Sequence, residues 1–298
     1  MSTDHLIIVS KEEEQERLDT FLTNRFEGFS RTYFQMLIKN NLVLVNGEPV
    51  KKRIKLEEGD EIEIEFALTE ESKIEPENIA LSILYEDDEL IAINKAPGMV
   101  THPAVGNWHG TFVNALLYHC QSLPEHHLRP GIVHRLDKET SGVLVAAKTT
   151  SMQQKLVALF ASRQVKKKYV AICLGNPGNQ VIEGRIGRHP IRRKEMAIIE
   201  GGGKEAITRV QTRFCDGKIS VIDLYPQTGR THQLRVHLKS IGCPILGDSV
   251  YGNKALNTKY GAQRQLLHAE RLLLPLEKPL ELVAPIPEDM LAYTLMVQ

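Results

Sequence analysis

The chain has 298 residues, 42% hydrophobic and 25% charged, with 37 basic residues balanced by 37 acidic ones. That length fits a small module joined to a larger body, or two medium domains. No apolar run approaches the roughly 20 residues that span a bilayer, and the zero net charge gives no global support to nucleic-acid binding, so any such role must come from local patches. Met1–Val9 is too short and too polar at its flanks for a signal peptide. Cys120, Cys173, Cys215 and Cys243 form no CxxC pair and sit mostly beside apolar residues, which predicts reduced thiols and a cytoplasmic protein.

Leu18, Phe21, Leu22 and Phe26 recur at helical spacing. Ser30 is placed to cap a second helix with Phe34, Leu37 and Ile38 on its apolar face. Leu42–Val45, the pair Asn46-Gly47 and Val50 predict a tight hairpin, and Glu61–Phe66 alternates as a half-buried strand. Residues 15–75 therefore read as two short helices followed by a small sheet. Thr69–Asn78 reads as an exposed linker.

From 80 to 298 short strands alternate with a few helices, which predicts an α+β body. Strands are expected at Ile83–Tyr85, Leu90–Asn94, Val143–Ala147, Tyr169–Leu174, Ala206–Phe214, Lys218–Leu224 and Leu280–Ala284, with Asp216-Gly217 as a hairpin turn. Helices are expected at Phe112–Cys120, at Ser151–Ser162 with Ser151 and Gln154 in capping-box spacing, and at Thr231–Ser240. In the last of these, Leu234, Leu238 and Ile241 form the core stripe, leaving Arg235 and Lys239 on a polar face. Like charges four apart oppose a helix by roughly 0.2–0.5 kcal/mol. An anionic partner would explain the clustering of Arg230, His232 and Arg235.

Basic residues gather in three patches: Lys51–Lys55, Arg163–Lys168 and Arg185–Lys194, each segregated from acidic stretches such as Glu57–Glu65. No phosphate-binding glycine loop, dinucleotide fingerprint or HExxH is present, and the spacing of His119, His126, His127 and His134 fits no usual zinc pattern. The densest polar cluster is His134–Gly142, followed directly by Val143–Ala147. It sets one acid, Asp137, among cations on a loop that feeds a buried strand.

His134–Gly142 resembles the catalytic motif of the large-subunit ribosomal RNA pseudouridine synthases. The similarity continues through Asn94–Gly98 with His102-Pro103, Lys167–Tyr169, Thr228–His237, Gly247-Asp248 with Tyr251-Gly252, and Leu267–Ala269. Residues 15–75 resemble the alpha-L RNA-binding fold of a small-subunit ribosomal protein. The resemblance implies a mixed, mostly antiparallel central sheet at 80–298 with a cleft across it. It implies isomerisation of uridine to pseudouridine in large-subunit ribosomal RNA or its precursor particle, with no metal, nucleotide or other cofactor; no membrane partner is expected, and the chain is expected to act as a monomer.

The same resemblance implies roles for single residues. Asp137 acts on the sugar, Arg230 pairs with Asp137 and fixes its orientation, and Tyr169 stacks on the uracil and helps remove a proton. Arg135 fills the space of an extruded nucleotide, and Leu272 lines the uracil pocket. His134, Lys167, Thr231, His232 and Arg235 contact substrate, Arg188, Arg192 and Arg193 belong to a loop gripping the RNA backbone, and Arg31, Lys52 and Arg53 contact RNA from the N-terminal module. Two other readings stay open at this point. One is a non-catalytic RNA-binding assembly factor; the other is a glycosidic hydrolase with Asp248 as a second acid.

Overall fold

The computed structural model describes residues 5–26, 29, 31–66, 74–103, 108–120, 122–124, 129–192 and 195–294. They form two compact units, Met1–Glu75 with Pro103–His109, and Pro76–His102 with Gly110–Gln298.

In the first unit, β1 (His5–Ile8) precedes helices α1 (Leu18–Arg25) and α2 (Arg31–Lys39), then β2 (Val43–Val45), β3 (Glu48–Pro49) and β4 (Glu61–Ile64). The described strands make one sheet in the order β1-β4-β2-β3. The predicted hairpin forms because Asn46 (φ 55°) and Gly47 (φ 82°) both adopt the left-handed backbone of a two-residue turn. Strand β4 alternates as predicted: Ile62 and Ile64 are buried and pack with Leu18, Phe21, Phe34 and Leu37. β1, which was not predicted, completes the sheet by pairing antiparallel with β4. Ser30, the expected helix cap, lies outside the described residues, as do residues 67–73 of the expected linker.

Asp19 is buried beneath this helix pair. Burial pushes its pKa up, but hydrogen bonds donated by Arg17, Arg31 and Gln35 outweigh that and hold it at about 2. Arg31 thus has its Nε committed to Asp19 at 3.0 Å, and Lys52 Nζ reaches Gln35 Oε1 at 3.4 Å, while Arg53 is exposed.

The second unit runs β5 (Ile83–Glu86), β6 (Leu90–Lys95), α3 (Phe112–His119), β7 (Ser141–Ala147), α4 (Thr150–Ala161), β8 (Lys166–Leu174), β9 (Gln180–Arg188) and β10 (Met196–Ile198). It continues with β11 (Lys204–Cys215), β12 (Ile219–Pro226), α5 (Gln233–Ser240), α6 (Lys254–Tyr260), β13 (Leu267–Leu274), β14 (Leu280–Val283) and α7 (Glu288–Thr294). Its described strands build a ten-stranded sheet in the order β10-β9-β11-β12-β8-β13-β7-β6-β5, with β14 added to β13. Pairing is antiparallel except between β7 and β13 among the described strands. This is the mixed, mostly antiparallel architecture expected.

Several local expectations change. Helix α4 is capped by Thr149, whose hydroxyl accepts from Met152 N at 3.2 Å, and not by Ser151. Strands β9 and β13 and helices α6 and α7 were not predicted, and Arg185 and Arg188 of the supposed gripping loop lie in β9. The Asp216 carboxylate closes the predicted turn by accepting from Lys218 N and Ile219 N at 2.7 and 2.8 Å. No described helix is long and apolar enough to cross a membrane. Cys120, Cys173, Cys215 and Cys243 are free thiols.

Strand β7 is the centre of the arrangement. It is buried along its whole length and lies between β6 and β13. Gly142 (φ 112°) is required where β7 meets β13, because a Cβ there would stand 2.3 Å from the Ala269 carbonyl oxygen.

Candidate active site

The polar segment ahead of β7 is held from several directions. Thr101 brackets Leu136: its hydroxyl donates to the Leu136 carbonyl (3.1 Å) and accepts from the Leu136 amide (3.4 Å). The Thr140 amide returns to the Asp137 carbonyl at 3.0 Å, closing a turn. Gln265 Nε2 donates to the Thr140 hydroxyl at 2.6 Å, and Arg264 donates to the Glu139 carbonyl at 3.0 Å. Leu136 is buried while Arg135 is exposed and Asp137 half-buried, so the extended backbone turns Arg135 and Asp137 to the same side.

Lys95, at the end of β6, is fully buried. Its ammonium donates to the carbonyls of Ala96 (2.8 Å), Met99 (2.9 Å) and Lys138 (3.0 Å). Burial draws its pKa down to about 7, opposed by the carboxylates of Glu139 and Asp137. Lys95→Met would leave three inward-facing carbonyls without this donor. Unsatisfied buried groups cost about 1–3 kcal/mol each. Even at about 1 kcal/mol for each of the three, the thermal midpoint of the variant should fall by roughly 6–12 °C, at about 2–4 °C per kcal/mol for a unit of this size. Calorimetry checks this, and an unchanged midpoint would remove Lys95 from the loop's support.

The loop borders a cleft of about 410 Å³ into which Asp137, Tyr169, Arg230 and Arg235 all project. That volume lies in the ordinary range of ligand sites, roughly 300–1,000 Å³. Tyr169 enters from β8, where burial first and the Asp137 carboxylate second raise its pKa and keep the phenol neutral.

The guanidinium beside Asp137 belongs to Arg235, not to Arg230 as expected. Arg235 NH1 donates to Asp137 Oδ2 at 3.0 Å, while its Nε and NH2 grip both oxygens of buried Asp248 at 2.7 and 3.0 Å. Arg230 instead donates its Nε to the Glu205 carbonyl at 2.9 Å. The polar face assigned to Arg235 is also corrected. The residue is 6% exposed, and its charge is matched by two carboxylates and by the Tyr251 ring, whose centroid is 4.9 Å away. The helix begins at Gln233, two residues later than predicted, because His232 takes a left-handed backbone (φ 54°). Asp248 is fully engaged by Arg235 and by the amides of Val250 and Tyr251, which leaves it no role as a second free acid.

The profile of the RNA pseudouridylate synthase family matches residues 89–240, just over half of the chain, and that of the S4 domain matches residues 16–62. The chain belongs to the RNA pseudouridylate synthase family. It is 42% identical to a Neisseria meningitidis protein named ribosomal large subunit pseudouridine synthase D, over 92% of this chain and 76% of that one. It is likewise 42% identical to an RNA pseudouridine synthase of Chlorobaculum parvum, over 95% and 94% of the two chains. Among solved structures it resembles human RNA pseudouridylate synthase domain containing 4 (TM-score 0.57, 29% identity, covering 72% of this chain and 92% of that one).

In this pseudouridine synthase the remaining predicted contacts divide into two groups. Arg135, Lys167, Thr231 and His232 line the cleft with Asp137. His134 borders it too, but its ring is spent internally: Nε2 accepts from the Val145 amide at 2.9 Å and the ring stacks on Phe160 at 4.6 Å. Burial drives its pKa down to about 3, so it is a neutral anchor and not a phosphate contact. Leu272 does not line the pocket; it is buried among Leu90, Val143 and Leu282. Leu267, from the same strand, lines the cleft instead. His232 Nδ1 bonds the Tyr251 hydroxyl at 2.9 Å, which in turn accepts from Met196 N at 2.8 Å.

Arg192 pairs with Glu195 at 3.2 Å, and Arg193 lies outside the described residues, as do His126 and His127. His119 pairs with Glu86 at 2.9 Å. Sequence reasoning missed Arg235 as the acid's partner, Leu267 as the apolar wall, and Lys95, Thr101, Arg264 and Gln265 as the loop's supports. The Gly247-Asp248 and Leu267–Ala269 motifs were the available signals.

Proposed function

We propose that this synthase isomerises uridine to pseudouridine in large-subunit ribosomal RNA, with Asp137 as its catalytic carboxylate. The reaction breaks the bond from C1′ to N1, turns the uracil, joins C1′ to C5, loses the proton from C5 and gains one at N1. Atoms balance with no external oxidant or reductant. A sugar losing its base gains oxocarbenium character, and a carboxylate fixed beside C1′ is the group that meets it. The observation that carries the reading is the Asp137–Arg235–Asp248 chain, whose first two members line a cleft of about 410 Å³.

In this reading Arg235 replaces Arg230 as the orienting cation, and Tyr169 offers its face to the uracil. A phenol held neutral is a poor proton acceptor, which favours stacking over the general-base role expected from sequence. Arg135 lies on the same side of the loop as Asp137 and would fill the gap left by an extruded nucleotide. The N-terminal unit supplies further RNA contact through Lys52 and Arg53. The relatives' names supply the choice of large-subunit RNA.

Product analysis of a large-subunit ribosomal RNA transcript treated with the protein tests this. A carbon-linked nucleoside without free uracil is expected. Free uracil would mean hydrolysis, and binding without product would mean an assembly factor.

A further inference from the structure

One wall of the cleft concentrates positive charge that Asp137 does not use. Lys167 lies two residues before Tyr169 on β8, so both side chains emerge on one face of the sheet, about 6.6 Å apart along the strand. That is the order of separation between a nucleotide's ring and its own phosphate. Lys167 is half-buried, has no carboxylate within 4 Å among the described residues, and stands 3.8 Å from where a Cβ on Gly229 would sit.

Two more cations face it. Arg163 and Arg230 both border the cleft, and both press on Lys167 electrostatically. Arg163 follows helix α4 in a left-handed backbone (φ 61°), a position where glycine is favoured. Among the described residues the one carboxylate paired with these three cations is Glu205, which takes Arg163 NH2 at 2.8 Å, while its backbone carbonyl takes Arg230 Nε. Three cations against one paired acid leave Lys167 without a carboxylate partner among the described residues and Arg230 bonded only to a backbone carbonyl. Such convergence is unfavourable unless an anion enters.

We propose that Lys167, Arg163 and Arg230 form a phosphodiester site, taking a backbone phosphate of the RNA nucleotide that lies against Asp137. The proposal rests on the RNA reading above and adds to it where the backbone is held during the reaction. The spacing along β8 suits a base at Tyr169 with its phosphate at Lys167, and Asp137, which lines the same cleft, would meet the sugar. Gly229 leaves room for the phosphate oxygens because it brings no side chain to that wall.

Binding of a radiolabelled large-subunit ribosomal RNA transcript is measured at a series of potassium chloride concentrations. The proteins compared are wild type, Lys167→Met, Arg163→Gln and the surface control Lys155→Met. Each lost phosphate contact should lower the slope of log K against log salt by about 0.7 for single-stranded RNA. Lys167→Met and Arg163→Gln should each show that loss, with kcat/KM down on the order of tenfold, and Lys155→Met should match wild type. Inorganic phosphate at matched ionic strength should compete with the transcript better than chloride for wild type, and lose that advantage in Lys167→Met.

Wild-type slopes in both cleft variants would overturn the site, as would competition by free phosphate no better than by chloride. Arg163 is exposed, so its variant keeps the test readable if Lys167→Met misfolds. Wild-type protein that binds the transcript yet forms no pseudouridine would count against the catalytic reading alone.

Discussion

Asp137→Asn is expected to abolish pseudouridine formation while leaving RNA affinity within about twofold of wild type. The amide is nearly isosteric, so the turn to Thr140 and the bracket from Thr101 persist, because both use backbone atoms of the loop. What is lost is the anionic oxygen proposed to face the sugar. Removing the central reacting group of a catalytic unit costs roughly 10⁴-fold or more in kcat. Tritium release from RNA carrying 5-tritiated uridine gives the rate, since the C5 hydrogen leaves as C5 joins the sugar. Filter binding gives the affinity. Retained turnover would sink the assignment of Asp137.

Arg235 should show the second large effect, in both stability and rate. Its removal leaves Asp248, a side chain with no exposure, without its bidentate partner, and frees Asp137 from its 3.0 Å contact. Breaking a buried pair by deleting one member costs about 3–5 kcal/mol. Arg235→Ala should therefore melt roughly 6–20 °C below wild type. Arg235→Lys separates rate from folding. A lysine keeps the charge but has one nitrogen, which cannot span two carboxylates as the guanidinium fork does. Its kcat should fall on the order of 10²-fold or more with KM nearly unchanged, the signature of lost positioning. Equal kcat in Arg235→Lys would refute the orienting role. Arg230→Ala should act on binding and not on orientation of Asp137.

What was legible in the sequence was local. Asn46-Gly47 and Asp216-Gly217 announce their turns because positive φ is a property of a few adjacent residues. Ile62 and Ile64 announce β4 by simple alternation. Strand β9 was not legible because Gly184 and Gly187 interrupt its pattern. Both face side chains from the segment beside the strand: a Cβ on Gly184 would meet the Ile198 side chain at 3.0 Å, and one on Gly187 the end of the Ile199 side chain at 2.3 Å. Strand β13 was hidden by Glu270 and Arg271 in its middle. Glu270 is explained only across the sheet, by Lys168 at 2.7 Å.

The site divides in the same way. Asp137 and Tyr169 stand out in motifs, but the partner of Asp137 lies 98 residues away and is shared with a second acid 13 residues further on. Helical periodicity assigned Arg235 to solvent because Leu234, Leu238 and Ile241 already account for one apolar stripe. In the fold, α5 is buried from Gln233 through Leu238, so its polar side meets protein as well. A charge partnered by residues from two remote segments has no local signature.

The stapling of the segment around Asp137, by donors from Lys95, Thr101, Arg264 and Gln265, has a consequence for target choice. An acid that is already rigid before RNA arrives cannot travel to meet a nucleotide. The burden of deformation then falls on the nucleic acid. If the nucleotide is extruded as proposed, uridines in bulges, loops or mismatched stems, which leave their stack at small energetic expense, are the expected targets.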